Sequence, residues 1–118
     1  MRRTLIKSKI QNAIVTESRL EYEGSLGIDA RLLRAADMIP YEKVHIYNVT
    51  NGERFSTYLI EEGEGSGRVA VYGAAAHKAG PGDRIIIVSY ALFDEKEIPG
   101  FKPRIVIAGL NNAVKSVR

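Results

Sequence analysis

A chain of 118 residues, 45% hydrophobic and 26% charged, has room for one folded domain (1–118) and none for a second; the balance is that of a globular protein rather than a disordered one. There is no cysteine, which excludes disulfides and thiolate metal sites. The net charge is +3, but basic and acidic residues are interleaved, so small anionic molecules suit the chain at least as well as nucleic acid. The longest apolar run, near Ile85 to Val88, falls short of a membrane span, and Arg2 and Arg3 are followed by no long apolar segment. No nucleic-acid or membrane partner is therefore expected, and a cytoplasmic location is.

From Thr4 to Ile14 polar and apolar residues partly alternate, which predicts a strand that turns Lys7 and Lys9 to the same side. For Lys7 a solvated strand face accounts for the charge. Val15 to Ser25 reads as extended. Asp29 is placed to cap a short helix through Arg31, Leu32, Leu33, Ala35 and Ala36, which stops before Pro40 and packs its apolar residues into the core. Lys43 to Thr50 and Glu53 to Ile60 alternate on either side of Asn51-Gly52, a hairpin signal because both central residues of a type I′ turn take positive φ.

On the second strand of that hairpin, Arg54, Ser56 and Tyr58 share one face, and Phe55, Thr57 and Leu59 take the other. Each also reads as an ordinary strand residue: a surface arginine, a half-buried tyrosine, a cross-strand threonine. Glu61 to Gly67 reads as a mobile hairpin tip, and its three glutamates argue against a phosphate cradle. Arg68 to Tyr72 is a short strand that runs into Gly73-Ala74-Ala75-Ala76-His77. There the small side chains let a ligand approach the backbone, and N–H groups at a short helix start can meet an anion; a tightly packed turn is the plainer reading. Gly80 to Asp83 is a turn, Arg84 to Leu92 a buried strand, Arg104 to Ala108 a last strand, and Asn111 to Arg118 a loose tail. His45 and His77 lack spaced acidic partners, so no metal site is expected. Six or seven short strands with one or two short helices predict a mostly β domain, most economically a small closed barrel.

The stretch Tyr22-Glu23-Gly24-Ser25 holds a bond with chemistry of its own. A serine hydroxyl can attack the carbonyl of its preceding residue to form an ester, and glycine there removes a crowding side chain. Elimination leaves dehydroalanine, which hydrolyses to a pyruvoyl group, a ketone that can condense with a substrate amine. Tyr22 to Ser25 followed by Ile28-Asp29, then Asn48-Val49-Thr50-Asn51-Gly52-Glu53-Arg54-Phe55-Ser56-Thr57-Tyr58, then Gly73 to His77, with Lys9 ahead of them, resembles the aspartate 1-decarboxylase family. The three blocks stand in family order and at family spacing across residues 1 to 110.

That resemblance implies a double-psi β-barrel in a homotetramer, with active sites between neighbouring subunits. It implies self-cleavage into a β chain, residues 1–24, and an α chain, residues 25–118, that begins with a pyruvoyl cofactor made from Ser25. Gly24, Ser25 and Thr57 would serve self-processing, Thr57 stabilising the oxyanion. L-aspartate would then lose its α-carboxylate through a Schiff base to give β-alanine for pantothenate and coenzyme A synthesis. Lys9 and Arg54 would hold substrate carboxylates, with Thr57, Gly73, Ala74 and Ala75 also at the substrate, and Tyr58 would return the proton. Whether a maturation factor is needed stays open. Two positions depart from the family pattern, Gln11 for a common histidine and Tyr72 for a usual asparagine. The rival readings are a basic β-barrel that binds nucleic acid, for which clustered basic and aromatic residues are wanting, and an uncleaved homologue without activity.

Overall fold

The computed structural model describes all residues, 1–118. Strand β1 (Arg2–Ile14) leads almost directly into β2 (Glu17–Arg19), and then come β3 (Ser25–Asp29), the helix α1 (Ala30–Ala35), β4 (Lys43–Asn48) and β5 (Arg54–Glu62). The chain continues through β6 (Val69–Tyr72), a 3₁₀ turn at Gly73–His77, β7 (Arg84–Asp94), β8 (Arg104–Ala108) and β9 (Val114–Val117). The strands are ordered β2-β6-β3-β5-β4-β7-β1-β8-β9. Because β1 passes into β2 through Val15 and Thr16, whose N–H groups donate to Asp83 O at 2.9 Å and Val69 O at 2.8 Å, the sheet closes on itself. The result is the mostly β, barrel-like domain that the alternating pattern predicts, with one α-helix.

Period-two alternation builds the core. Ile10, Leu26, Ile28, Val44, Ile46, Leu59, Ile85 and Ile87 all point inward and are fully buried, joined by Leu32 and Leu33 from α1. Each such side chain contributes about 1.5–3 kcal/mol on burial. β3 lies at the centre, all five residues buried, parallel to β5 on one side and antiparallel to β6 on the other. Asp29 ends it and caps α1 as expected, accepting from Arg31 N at 2.9 Å. No helix is long and apolar enough to cross a membrane.

Five local expectations are corrected. There are nine strands rather than six or seven, since β2 and β9 are too short to show a period. The tail is not loose: Val114–Val117 pairs with β8, and Arg118 exchanges two backbone hydrogen bonds with Ile105. The Asn51-Gly52 turn is not type I′. Only Gly52 has positive φ, at 79°, and its N–H reaches back to Asn48 O at 2.8 Å, with Asn48 and Asn51 side chains bonding Thr50 N and Glu53 N. The Glu61–Gly67 region is not a hairpin tip, because β3 lies between β5 and β6. Its Gly65 and Gly67 N–H groups are pinned by the Asp29 carboxylate at 3.2 and 2.9 Å. Lastly, Lys7 is not simply solvated. It is the extra residue of a bulge between Ile6 and Ser8, and its Nζ meets Glu42 Oε2 at 2.8 Å and Asp37 O at 2.6 Å.

Candidate active site

Ser25 opens β3, and its partner across the antiparallel ladder is Tyr72, the last residue of β6. Its side chain is buried, with Oγ donating to Glu23 O at 3.2 Å. β6 turns immediately into Gly73–His77, and Gly73 takes φ of +72°, a left-handed conformation that glycine adopts without strain. A Cβ on Gly73 would stand 2.6 Å from Gly24 Cα and 2.9 Å from Tyr22 O. The segment ahead of Ser25 therefore lies directly across the Gly73 backbone. Gly24 itself is roomier, since a Cβ there would find only Tyr72 O, at 3.9 Å. The close approach that demands glycine is thus at Gly73.

A cavity of about 260 Å³ opens on Gly24. One wall is β5, through Phe55, Ser56 and Thr57; the other is the 3₁₀ turn, through Ala74, Ala75 and the following Lys78. The opening has a backbone cause. β3 pairs with β5 only from Leu59 onward, so the edge of β5 before Leu59 is left unpaired on the side facing Gly24. Period-two alternation puts Thr57 on the inward side with Leu59, and Thr57 lines this cavity with Gly24.

Lys9, Arg54 and Tyr58 are elsewhere. The ladders align Arg54 with Tyr47 and Ile86, Ser56 with His45, Val88 and Lys9, and Tyr58 with Lys43, so these side chains share the outer face of the β5-β4-β7-β1 sheet. Arg54 stacks over the Tyr47 ring, 4.5 Å from its centroid, and lines a separate cavity of about 310 Å³ with Gly52, Glu53 and Ile86. The Tyr47 hydroxyl is 2.7 Å from that of Tyr90, and this bond holds the Tyr90 phenol above its ordinary pKa. Tyr58 packs its ring 6.3 Å from that of Tyr41. Within one chain, then, Gly24, Ser25, Thr57, Gly73, Ala74 and Ala75 come together, and Lys9, Arg54 and Tyr58 form a second group.

Three features escaped the sequence reading. Lys78 is the one charged residue lining the Gly24 cavity; its place one turn after Ala74 and Ala75 was the available signal. Phe55 and Ser56 line the same wall, but nothing in an alternating strand distinguishes them. The third is the setting of Tyr72. Its hydroxyl donates to Glu62 Oε2 at 2.9 Å and accepts from Arg68 Nη2 at 3.2 Å, while its ring lies 4.7 Å from that of Tyr22. Burial pushes the Tyr72 phenol above its ordinary pKa; Arg68 pulls the other way, and the Glu62 bond adds to the rise.

The sequence matches the family model described as aspartate decarboxylase over residues 1–115. It is 49% identical to the aspartate 1-decarboxylase of Ralstonia nicotianae over 118 residues, all of this chain and 98% of the relative. The aspartate 1-decarboxylase of Syntrophus aciditrophicus is 50% identical over 115 residues, 98% of this chain and 99% of the relative. That of Nitrosococcus oceani is 55% identical over 103 residues, 87% and 82% of the two chains. With the barrel and the Gly24 cavity beside these identities, the chain is a decarboxylase that belongs to the aspartate decarboxylase family.

Proposed function

We infer that this chain cleaves itself between Gly24 and Ser25, and that the matured protein converts L-aspartate to β-alanine and CO₂. The observation that carries the reading is the cavity that brings Thr57, Ala74 and Ala75 onto Gly24 in a chain half identical to aspartate 1-decarboxylases. In the cleavage, the Ser25 Oγ–Gly24 carbonyl bond forms and the peptide C–N bond breaks, its nitrogen taking the proton. The ester then eliminates the Gly24 carboxylate, and water releases ammonia from the resulting dehydroalanine. Ser25 Oγ donates to Glu23 O at 3.2 Å and has to give up that bond to attack the Gly24 carbonyl. Thr57, which lines the cavity beside Gly24, is the donor assigned to the oxyanion on this reading.

A pyruvoyl group at residue 25 fits, because it keeps the three-carbon skeleton of Ser25 and the adjoining Gly24 opens on a cavity with two alanines, Ala74 and Ala75, in its wall. When present, it supplies the electrophile that takes the substrate amine and draws off the electrons released with CO₂. The chain's own residues do the rest. The backbone at Gly73, Ala74 and Ala75 and the Thr57 hydroxyl orient the substrate, Arg54 and Lys9 bind carboxylates, and Tyr58 returns a proton to the former α-carbon. Lys9, Arg54 and Tyr58 do not line the Gly24 cavity of their own chain, so on this reading a second copy brings them to it. This supports an oligomer with shared sites, for which the family resemblance suggests a homotetramer. The parallel pairs β1-β8 and β3-β5 within a closed sheet support the double-psi barrel. β-Alanine made in the cytoplasm would feed pantothenate synthesis.

Intact mass under denaturing conditions tests the reading. The wild-type chain is expected to give fragments 1–24 and 25–118, the larger without the Ser25 amine, and to release CO₂ from L-aspartate. Ser25→Ala should stay at 13.0 kDa and be inactive. A wild-type chain that stays whole, or a Ser25→Ala chain that splits, would overturn it.

A further inference from the structure

The residues between β2 and β3 take part in no strand ladder, yet they carry the scissile bond. Ser25 is fixed by β3. Gly24 is open on the side a Cβ would take, so the geometry of the bond depends on what holds Tyr22 to Gly24 from the other side. Two successive residues do so. Gly73 presses its backbone against Gly24 and Tyr22 O, and Tyr72 lays its ring against that of Tyr22, with planes inclined by 39°.

The Tyr72 ring is anchored at both ends. Its backbone pairs with Ser25 on one side and Arg19 on the other. Its hydroxyl is held by Glu62, at the end of β5, and Arg68, just before β6. Arg68 in turn reaches Glu17 of β2 at 2.7 Å and Glu62 at 3.2 Å. The end of β5 thus holds the far end of the ring directly, and β2 holds it through Arg68. Tyr22, by contrast, is 56% exposed, and its side chain makes no hydrogen bond; the Tyr72 ring is the aromatic surface it leans on.

We propose that the Tyr22–Tyr72 ring pair, anchored by Glu62 and Arg68, is a clamp that positions the Gly24-Ser25 bond for self-cleavage, which makes Tyr72 a positioning residue for maturation. The inference rests on the self-cleavage reading above. Its physical basis is that a nucleophile on a rigid strand needs its target carbonyl held to within a fraction of an ångström, and a displacement of about 1 Å can cost about 10²-fold in rate.

The test follows the splitting of freshly purified full-length chain by intact mass for Tyr72→Leu, Tyr22→Leu, the double variant and Tyr72→Phe. Each leucine variant should slow splitting about tenfold or more. The double variant should be no slower than the worse single one, because both remove the same contact. Tyr72→Phe keeps the ring but releases it from Glu62 and Arg68, and should slow splitting less than Tyr72→Leu does. Tyr22 is exposed, so Tyr22→Leu should leave the unfolding midpoint unchanged, and a slower rate there reports on positioning rather than folding. Tyr22→Leu splitting at the wild-type rate, or two slowings that multiply in the double variant, would overturn the clamp alone. A wild-type chain that never splits overturns the self-cleavage reading and the clamp with it.

Discussion

β3 is five residues long and buried throughout, yet its two ends are built in opposite ways. At Asp29 a carboxylate with no exposed surface accepts from the N–H groups of Arg31, Gly65 and Gly67 and from the Arg31 guanidinium. At Ser25 the side chain makes one bond, to Glu23 O, and the residue before it faces an open cavity. The closed end fixes α1 and the Gly63–Gly67 loop to the barrel. The open end leaves one peptide bond free of the protection that a fully paired strand would give it. A rigid strand that is saturated at one end and unsaturated at the other can hold a reactive bond without letting the barrel loosen around it.

The two glycines in contact at the open end should separate most clearly. Gly73→Ala forces an L side chain into φ of +72° and drives its Cβ to within 2.6 Å of Gly24 Cα. The expected loss is about 3–5 kcal/mol, seen as a large fall in the urea midpoint, together with a chain that splits slowly or not at all. Gly24→Ala meets only Tyr72 O, at 3.9 Å, and needs no positive φ. Its stability should stay within about 1 kcal/mol of wild type, so any slower splitting in Gly24→Ala reads on the bond itself.

At the closed end, Asp29→Ala removes the cap of α1 and leaves two loop N–H groups and Arg31 without their acceptor. A loss of about 2–4 kcal/mol is expected, measured by urea unfolding near neutral pH. The pH dependence has a definite sign. Burial alone would raise the Asp29 pKa, but the N–H groups of Arg31, Gly67 and Gly65 and the Arg31 side chain outweigh it and hold the carboxyl below its ordinary value. Its contribution is therefore complete above the unfolded carboxylate pKa and is lost as pH falls through the depressed folded value. Glu42 behaves alike, with burial opposed and outweighed by Lys7, Ser89 and Ile39 N. Asp29→Asn should flatten the acid limb of the stability profile; an unchanged limb would show that Asp29 does not carry it. Glu42→Gln, which weakens the Lys7 pair and the Ser89 bond, should cost about 1–2 kcal/mol in the same assay.

This contrast also explains what could be read in advance. The Asp29 cap, the inward face of β5 and the mostly β architecture follow from short-range rules, and the structure agrees with them. The partners of Asp29 could not be read, because Gly65 and Gly67 lie 36 and 38 residues away and reach it only once β3 has inserted between β5 and β6. The same insertion turned an apparent hairpin tip into a crossover. β9 was missed because four exposed residues carry no burial pattern, and its pairing is decided by the edge of β8. At the open end the motif points to Gly24, Thr57, Ala74 and Ala75, and these share a cavity. That Arg54 and Tyr58 face away from Thr57 was already implied by the alternation along β5. The role of Gly73 as the tight contact was hidden, since a positive φ and a backbone approach leave no mark on sequence beyond the glycine itself.

The smallest stability effect is expected at Lys78, where stability and catalysis should part. Its Nζ pairs with Glu53 Oε2 at 2.9 Å, but both side chains are about half exposed, 46% and 48%, so the pair is well screened. Lys78→Met should therefore change unfolding free energy by no more than about 0.5 kcal/mol. Yet Lys78 is the single charge on the cavity wall beside Gly24, and a dicarboxylate entering there passes its ammonium group. On the proposed function, Lys78→Met should raise KM for L-aspartate about three- to tenfold with little change in kcat, the signature of lost uniform binding. Added salt should narrow the gap between wild type and variant, because a charge at an open mouth acts through a screened field. A KM equal to wild type at low salt would place the carboxylate-binding charges wholly on the face that carries Lys9 and Arg54. The cavity wall would then contribute shape alone, and recognition of the acid would belong to the neighbouring subunit.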